Sequence, residues 1–516
     1  MMVSLVAVQP EARMSRTFER RGGPPVRPPG GKFLIGGAWR EPMSNDRIPV
    51  IDPSTEEQIV TIGAATAEEV DLAVNAARIT FESAAWRKMR PLDRGRLLEK
   101  LALLIERDAD ELARLETLDS GKPYYVTRNI DLKFTVDALR YYGGWSSKIA
   151  GEYLTLSPFF DDGGIYRAYT ERRPVGVVAG ITPWNFPLGQ AIQKIAPALA
   201  FGCTIILKPS EEASLTTLRL GDLILEAGFP DGAVNIVTGY GATTGQALVE
   251  HPLVRKIAFT GSTATGKRIL ASAAPQMKRV SLELGGKSPT IILADADLDK
   301  AIAGAANAIF PNSGQICTAG SRLFVDDSIF ADVVQGVADV ARNLRLGGGF
   351  EEQTQLGPLI SSRQMERVSA LVASGIAEGA EPVAGASRLD RAGFFYQPTV
   401  LKNGRPDMRV AREEVFGPVV LAMPIKDIRE IGAFANDTEY GLGASIWTRD
   451  IDKAHLLAEQ IEAGTVWINT HNVLDTAVPF GGVKSSGLGR EFGSEAVNSY
   501  TEPHAVCMRL DGQALG

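Results

Sequence analysis

Residues 174–182, PVGVVAGIT, begin a stretch in which short apolar runs alternate with amphipathic ones. The helical stretch QAIQKIAPALAFG (190–202) follows, then CTIILKPS (203–210), LTTLRLGDLILEAGF (215–229), AVNIVTG (233–239) and KIAFTGS (256–262). Runs of four to six apolar residues, each followed by a helix-length amphipathic segment, are the pattern of parallel strands joined by crossover helices. The alternation returns in PTIIL (289–293), RLFVD (322–326), PVVLAMPI (418–425) and SIWT (445–448), separated by helical stretches such as DLDKAIAGAANAIF (297–310). Two α/β units in series are predicted.

Outward from this core, residues 66–82 and 97–116 carry apolar side chains at three- and four-residue spacing, so they read as amphipathic helices. Between them and the first α/β unit, residues 151–176 read as two β-rich runs around the turn DDGG. Such a hairpin is either an interaction arm or a plain surface ribbon. The chain of 516 residues exceeds one hydrophobic core, and its 45% apolar and 22% charged content is that of an ordinary globular protein. A net charge of −7 with mixed signs provides no basic stripe, so nucleic acid is not an expected partner. Three scattered cysteines (Cys203, Cys317, Cys507) and four dispersed histidines (His251, His455, His471, His504) suggest neither a disulfide framework nor a metal site. Residues 1–30, rich in Pro and Arg, read as a disordered lead-in without a signal-peptide core, and Met14 is an alternative start. With no apolar run long enough to span a bilayer, a cytoplasmic protein is expected.

Several local motifs remain ambiguous by themselves. Cys317, in NSGQICTAGSR (312–322), is either a nucleophile or core filling. GSTATGKR (261–268) has the Gly261, Gly266 and Lys267 of a phosphate-binding loop, but Arg268 stands where a Ser or Thr would ligate magnesium. The glycines Gly239, Gly241 and Gly245 are one residue out of step with a dinucleotide fingerprint. Ser262 and its glycines suit either an anion at a helix N-terminus or a tight turn. Lys208 and Glu211, three apart at the end of a strand, suit a ribose diol or a solvated turn.

Taken together, TPWNFP (182–187), LKPSE (207–211), FTGST (259–263), LELGGKSP (282–289), GQICTAGSR (314–322), EEVFGPV (413–419) and PFGGVKSSGLGRE (479–491) resemble the aldehyde dehydrogenase superfamily in order and spacing, over residues 31 to 505. The resemblance implies a Rossmann-like NAD-binding domain (31–150 and 174–284), an α/β catalytic domain (285–485) and a β-rich oligomerisation arm with a bridging segment (151–173 and 486–505). It implies that Cys317 is the nucleophile, Glu283 the general base and Asn185 an oxyanion donor. Lys194 and Glu491 are then either a proton relay or a plain salt bridge. The chemistry needs these types: a thiolate adds to the aldehyde carbon, its oxyanion wants preorganised donors, and the resulting thioester needs a carboxylate to activate water.

For the cofactor, the resemblance places Thr182, Pro183, Trp184, Lys208, Ser210, Glu211, Gly241, Gly245, Gly261, Ser262, Gly266, Leu284, Glu414 and Phe416 around NAD. A carboxylate at Glu211 accepts from a 2′-hydroxyl and repels a 2′-phosphate, which favours NAD over NADP. The substrate channel falls to Phe186, Gly189, Gln190, Gln193, Ile316, Thr318, Leu474 and Phe480, with Pro311 nearby. Many relatives carry large apolar groups at several of these positions, and Val483 stands where a tyrosine is common, so a wider, more polar channel is expected. The overall run of motifs looks most like bacterial phenylacetaldehyde and other aryl or bulky-aldehyde dehydrogenases. The expected reaction is NAD-dependent oxidation of an aldehyde to its acid by a homodimer or homotetramer. Alternatives are a coenzyme A-acylating dehydrogenase, which has no need of Glu283; a cysteine hydrolase, for which no histidine sits in a suitable motif; and a non-catalytic relative, which would not be expected to keep Cys317, Glu283 and Asn185.

Overall fold

In the computed structural model, which describes residues 30–157, 159 and 164–510, the strands Val177–Ile181, Thr204–Lys208, Val234–Ile236, Val254–Thr260 and Arg279–Glu283 pair in parallel. They form the centre of an eight-stranded sheet ordered Gly487–Leu488, Arg279–Glu283, Val254–Thr260, Val177–Ile181, Thr204–Lys208, Val234–Ile236, Phe33–Ile35, Ala38–Arg40. VVAGI (177–181) and TIILK (204–208) are buried at every position, as parallel strands covered on both faces must be. Alternate residues feed separate cores: Val178, Ile205 and Leu207 enter one, and Val177, Ala179 and Ile206 the other.

The chain direction through this sheet reverses between Val177–Ile181 and Val254–Thr260, which places a crevice beyond their carboxyl ends. Open α/β sheets bind ligands at such a switch point. The covering helices have clear local causes. Ala67–Glu82 starts with a capping box, Thr66 accepting from the Glu69 N–H and Glu69 from the Thr66 N–H. Pro187–Ala200 opens on proline at its first position. Ser262 caps Thr263–Ala273 by accepting from the Thr265 N–H at 3.3 Å.

A seven-stranded sheet follows, ordered Glu381–Ala384, Thr399–Lys402, Val419–Ile425, Arg322–Asp326, Pro289–Ile292, Gly443–Trp447, Thr465–Ile468, and parallel except at its first pair. All four strands read from the sequence lie in it. The antiparallel hairpin Arg47–Ile51 with Gln58–Gly63, and the strands at 33–40, carry no such alternation signal and were not expected.

A separate three-stranded sheet joins Tyr153–Thr155, Ile165–Pro174 and Thr501–Leu510. The hairpin reading of 151–173 corresponds to its first two strands, while residues 161–163 of the DDGG turn and residues 1–29 of the lead-in lie outside the described residues. The segment 486–505 divides differently from the expectation. Gly487–Leu488 joins the edge of the first sheet and Ala496–Tyr500 packs on the helix Pro187–Ala200, whereas arm pairing starts at Thr501 and runs to Leu510. Among the described residues no helix is long and apolar enough to cross a membrane, and no group of acidic, His and Cys side chains could hold a metal.

Candidate active site

Cys317 lies half-buried on a loop that is tied down on every side. The Asn185 side-chain amide donates to the Gln315 carbonyl at 2.9 Å, and Asn312 Nδ2 donates to the same oxygen at 3.3 Å and to the Asn185 carbonyl at 3.1 Å. Gln315 in turn accepts from the Ile360 N–H at 2.9 Å. Gly314 has φ +70° and packs against the Gly417 carbonyl, where a side chain has no room. A Cβ at Gly286 would collide with the carbonyl oxygen of Cys317 itself, so LELGG needs its second glycine to let the two loops meet. Burial, and then the charges of Glu414 and Glu283, push the Cys317 thiol up to about 12.

Glu283 ends its strand, 4% exposed, with neither carboxylate oxygen hydrogen-bonded among the described residues. Burial, reinforced by Glu491, holds its carboxyl well above the usual range. Gly481, at φ +156°, lies against Glu283 Oε1, which a Cβ there would approach to 2.8 Å. Beneath it, Lys194 is fully buried, paired with Glu491 and donating to Thr260 Oγ1 at 2.7 Å. The backbone of Glu491 is fixed by two bonds to Phe480. Lys256, not expected from the sequence, joins this buried group: its ammonium nitrogen is 2.9 Å from Ser281 Oγ and 4.8 Å from the Tyr500 ring centre, and burial lowers it to about 7. A charged residue inside the apolar strand VRKIAFT is the signal that could have found it.

Both Cys317 and Glu283 open on one cavity of about 4210 Å³ that runs to the switch point of the first sheet. Thr182, Pro183, Trp184, Lys208, Ser210, Glu211, Gly241, Gly245, Gly261, Ser262, Leu284, Glu414 and Phe416 all line it. Lys208 is buried and, among the described residues, donates to the Pro209 carbonyl (2.9 Å) and Glu211 Oε2 (3.4 Å) alone, and burial lowers its pKa. The Trp184 and Phe416 rings meet edge to face at 5.3 Å, with Phe416 at φ +55°. Glu414 accepts from the Gly286 N–H at 2.9 Å and is pushed up to about 7 by burial. Gly266 is not among the residues lining the cavity, and a Cβ there would meet Leu284 Cδ2 at 2.5 Å, so this glycine admits close helix-to-loop packing. Lys194 and Glu491 also lie behind the cavity wall rather than on it.

At the Cys317 end, Phe186, Gly189, Gln190 and Gln193 follow one face of the helix Pro187–Ala200 and its lead-in, and they line the same cavity with Pro311, Ile316, Thr318, Leu474 and Phe480. Phe134 and Phe492, in edge-to-face contact at 5.4 Å, complete an aromatic wall that the sequence reading missed. Lys122, held by Glu116 (3.0 Å) and Asp131 (2.7 Å), places its ammonium 4.1 Å from the centre of the Phe186 ring. A cysteine, a buried carboxylic acid, an amide donor and a long cleft ending at a sheet switch point suit thiol addition to a carbonyl beside a dinucleotide.

Comparison with known proteins agrees with this geometry. Residues 39–506 match the family model described as the aldehyde dehydrogenase family. A phenylacetaldehyde dehydrogenase of Pseudomonas fluorescens is 48% identical over 477 residues, 92% of this chain and 95% of that protein. Human retinaldehyde dehydrogenase 3 is 45% identical over 481 residues, 93% of each. Among solved structures, the NAD+ complex of an aldehyde dehydrogenase from Bacillus cereus superposes with a TM-score of 0.91 at 45% identity, covering 94% of this chain and 97% of that one. The chain belongs to the aldehyde dehydrogenase family.

Proposed function

We propose that this enzyme oxidises a bulky or aromatic aldehyde to its carboxylic acid with NAD, through a covalent adduct on Cys317. The observation that carries the reading is the meeting of Cys317, Asn185 and Glu283 at one end of a cleft whose other end is the Lys208–Glu211 pair. That end fits the cofactor: a buried lysine with few partners beside an acceptor carboxylate, and a Ser262-capped helix N-terminus, suit a ribose and a pyrophosphate. Thr182, Pro183, Trp184, Ser210, Gly241, Gly245, Gly261, Leu284, Glu414 and Phe416 would hold the remainder.

The Cys317 thiol gives up its proton to solvent in the open cleft, and its sulfur forms a bond to the aldehyde carbon as the carbonyl π pair moves onto oxygen. The negative charge that develops on oxygen is met by the Cys317 backbone N–H and by the second hydrogen of the Asn185 amide, the first being engaged by the Gln315 carbonyl. When bound, NAD supplies the acceptor for the hydride released as this adduct becomes a thioester. Glu283 then takes a proton from water, the hydroxide adds to the thioester carbon, and the carbon–sulfur bond breaks to return the cysteine. Lys194 and Glu491 hold a charge pair close enough to Glu283 to bias its proton. The same role for Glu283 argues against transfer of the acyl group to coenzyme A.

Phe186, Phe480, Phe134 and Phe492 give the channel aromatic walls, while Gly189, Gln190 and Gln193 leave it broad. Similarity to a phenylacetaldehyde dehydrogenase supports an aryl substrate. The arm supports self-association: Thr501–Leu510 is an edge strand, exposed along most of its length, and such an edge pairs readily with another chain. Incubation with NAD and aromatic, aliphatic and amino-aldehydes, followed by NADH absorbance, tests the assignment. Turnover is expected with the aromatic members, and absence of signal from the whole panel would overturn it.

A further inference from the structure

The nucleophile loop is restrained from one more direction. Thr318, next to Cys317, is gripped twice by the segment NTHNVLD (469–475). His471 Nε2 lies 2.9 Å from the Thr318 carbonyl oxygen, and Thr318 Oγ1 donates to Asn472 Oδ1 at 2.6 Å. A carbonyl only accepts, so His471 must carry its proton on Nε2. Removal of the ring from water lowers its pKa to about 4, which keeps it in that neutral form at physiological pH.

The grip is itself rigid. Asn469 and Asn472 both adopt left-handed backbone angles, φ +53° and +57°. The Asn469 amide exchanges two bonds with Thr448, at 2.9 and 3.0 Å. Trp467 meets His471 with ring centres 4.8 Å apart and the planes tilted by 46°, and its indole N–H donates to the Val473 carbonyl at 2.9 Å. The segment therefore cannot follow Thr318 if Thr318 moves.

We propose that His471 and Asn472 are positioning residues for Cys317, fixing the Thr318 peptide and side chain so that the sulfur and the Cys317 N–H hold their mutual placement. The proposal rests on the reading of Cys317 as nucleophile. Reactions between oriented groups lose about a hundredfold in rate for a displacement of about 1 Å, so loss of such a grip should appear in the chemical step.

His471→Leu removes the donor, and His471→Gln keeps one. Each is compared with the parent enzyme by kcat, by KM, by NAD affinity from fluorescence titration, and by the rate of iodoacetamide labelling of the peptide containing Cys317. His471→Leu is expected to lower both kcat and labelling rate about ten- to a hundredfold with NAD affinity unchanged, and His471→Gln to restore both to within about threefold. Parent-like kcat and labelling in His471→Leu would overturn the proposal. Should that variant not fold, Asn472→Leu is read in the same way, with unchanged values again counting against it. Cys317→Ala separates the two levels: an active Cys317→Ala defeats the functional reading, whereas an inert one beside a fully active His471→Leu defeats only the grip.

Discussion

Glu283 combines two properties in tension, a buried carboxyl without a hydrogen-bond partner among the described residues and a place on the same cavity as the proposed nucleophile Cys317. An acid whose pKa is raised on folding binds its proton more tightly in the folded state. Its burial therefore costs nothing below the ordinary glutamate range and subtracts stability as pH rises towards the raised value. Glu283→Gln, neutral at every pH, should accordingly melt above the parent at alkaline pH, with the gap closing on acidification. Thermal melts at several pH values check this, and a gap independent of pH would contradict it. In the proposed role of Glu283 as base, the same raised pKa acts on catalysis with the opposite sign, because only the ionised carboxylate abstracts a proton. Hydrolysis of the acyl-enzyme should rise with pH through a midpoint well above that of a free glutamate. Glu283→Gln should release about one NADH per subunit and then stall, and Cys317→Ala none, as measured by stopped-flow absorbance. Steady turnover by the glutamine variant would remove Glu283 from the mechanism.

The Cys317 loop, 312–320, has almost no regular structure, and its shape is imposed by neighbouring elements. Gly286 is one of these, and Gly286→Ala would drive a methyl group into the Cys317 carbonyl. Since this displaces the proposed nucleophile, kcat should fall by about a hundredfold or more. A Gly286→Ala enzyme with the parent kcat would show that the loop tolerates movement. The loop also marks where sequence reading succeeds and where it stops. Strands such as VVAGI and TIILK are legible because burial on both faces demands continuous apolar runs. Cys317, Glu283 and Asn185 stand out through recurring motifs. Gly286 was inside a quoted motif, yet its role depends on a contact with Cys317 across thirty-one positions of chain, which no local pattern encodes. His471 looked like one of four stray histidines for the same reason. Gly266 shows a further limit, since a glycine that admits a packed leucine and one that admits a phosphate look alike in sequence.

At the scale of the molecule, the last described strand ties the arm together. Thr501–Leu510 pairs antiparallel with Ile165–Pro174 from Thr501↔Pro174 to Leu510↔Ile165. Its sequence, TEPHAVCMRL, has no period-two alternation and carries a proline, so it gave little warning of a strand, and the pairing partner lies more than three hundred residues earlier. Without it, Ile165–Pro174 would keep only the short strand Tyr153–Thr155 as a neighbour, and a two-stranded ribbon is marginal in water. The helix Ala496–Tyr500, which packs on Pro187–Ala200 behind the cleft, precedes this strand and is left intact by a stop after Tyr500. On the proposed association through this edge, deletion of residues 501–516 should leave the subunits apart while the two large sheets stay folded. Light scattering coupled to size exclusion would read the mass, and far-UV circular dichroism the fold. A truncated chain that keeps the parent mass would place the subunit contact away from the Thr501–Leu510 strand.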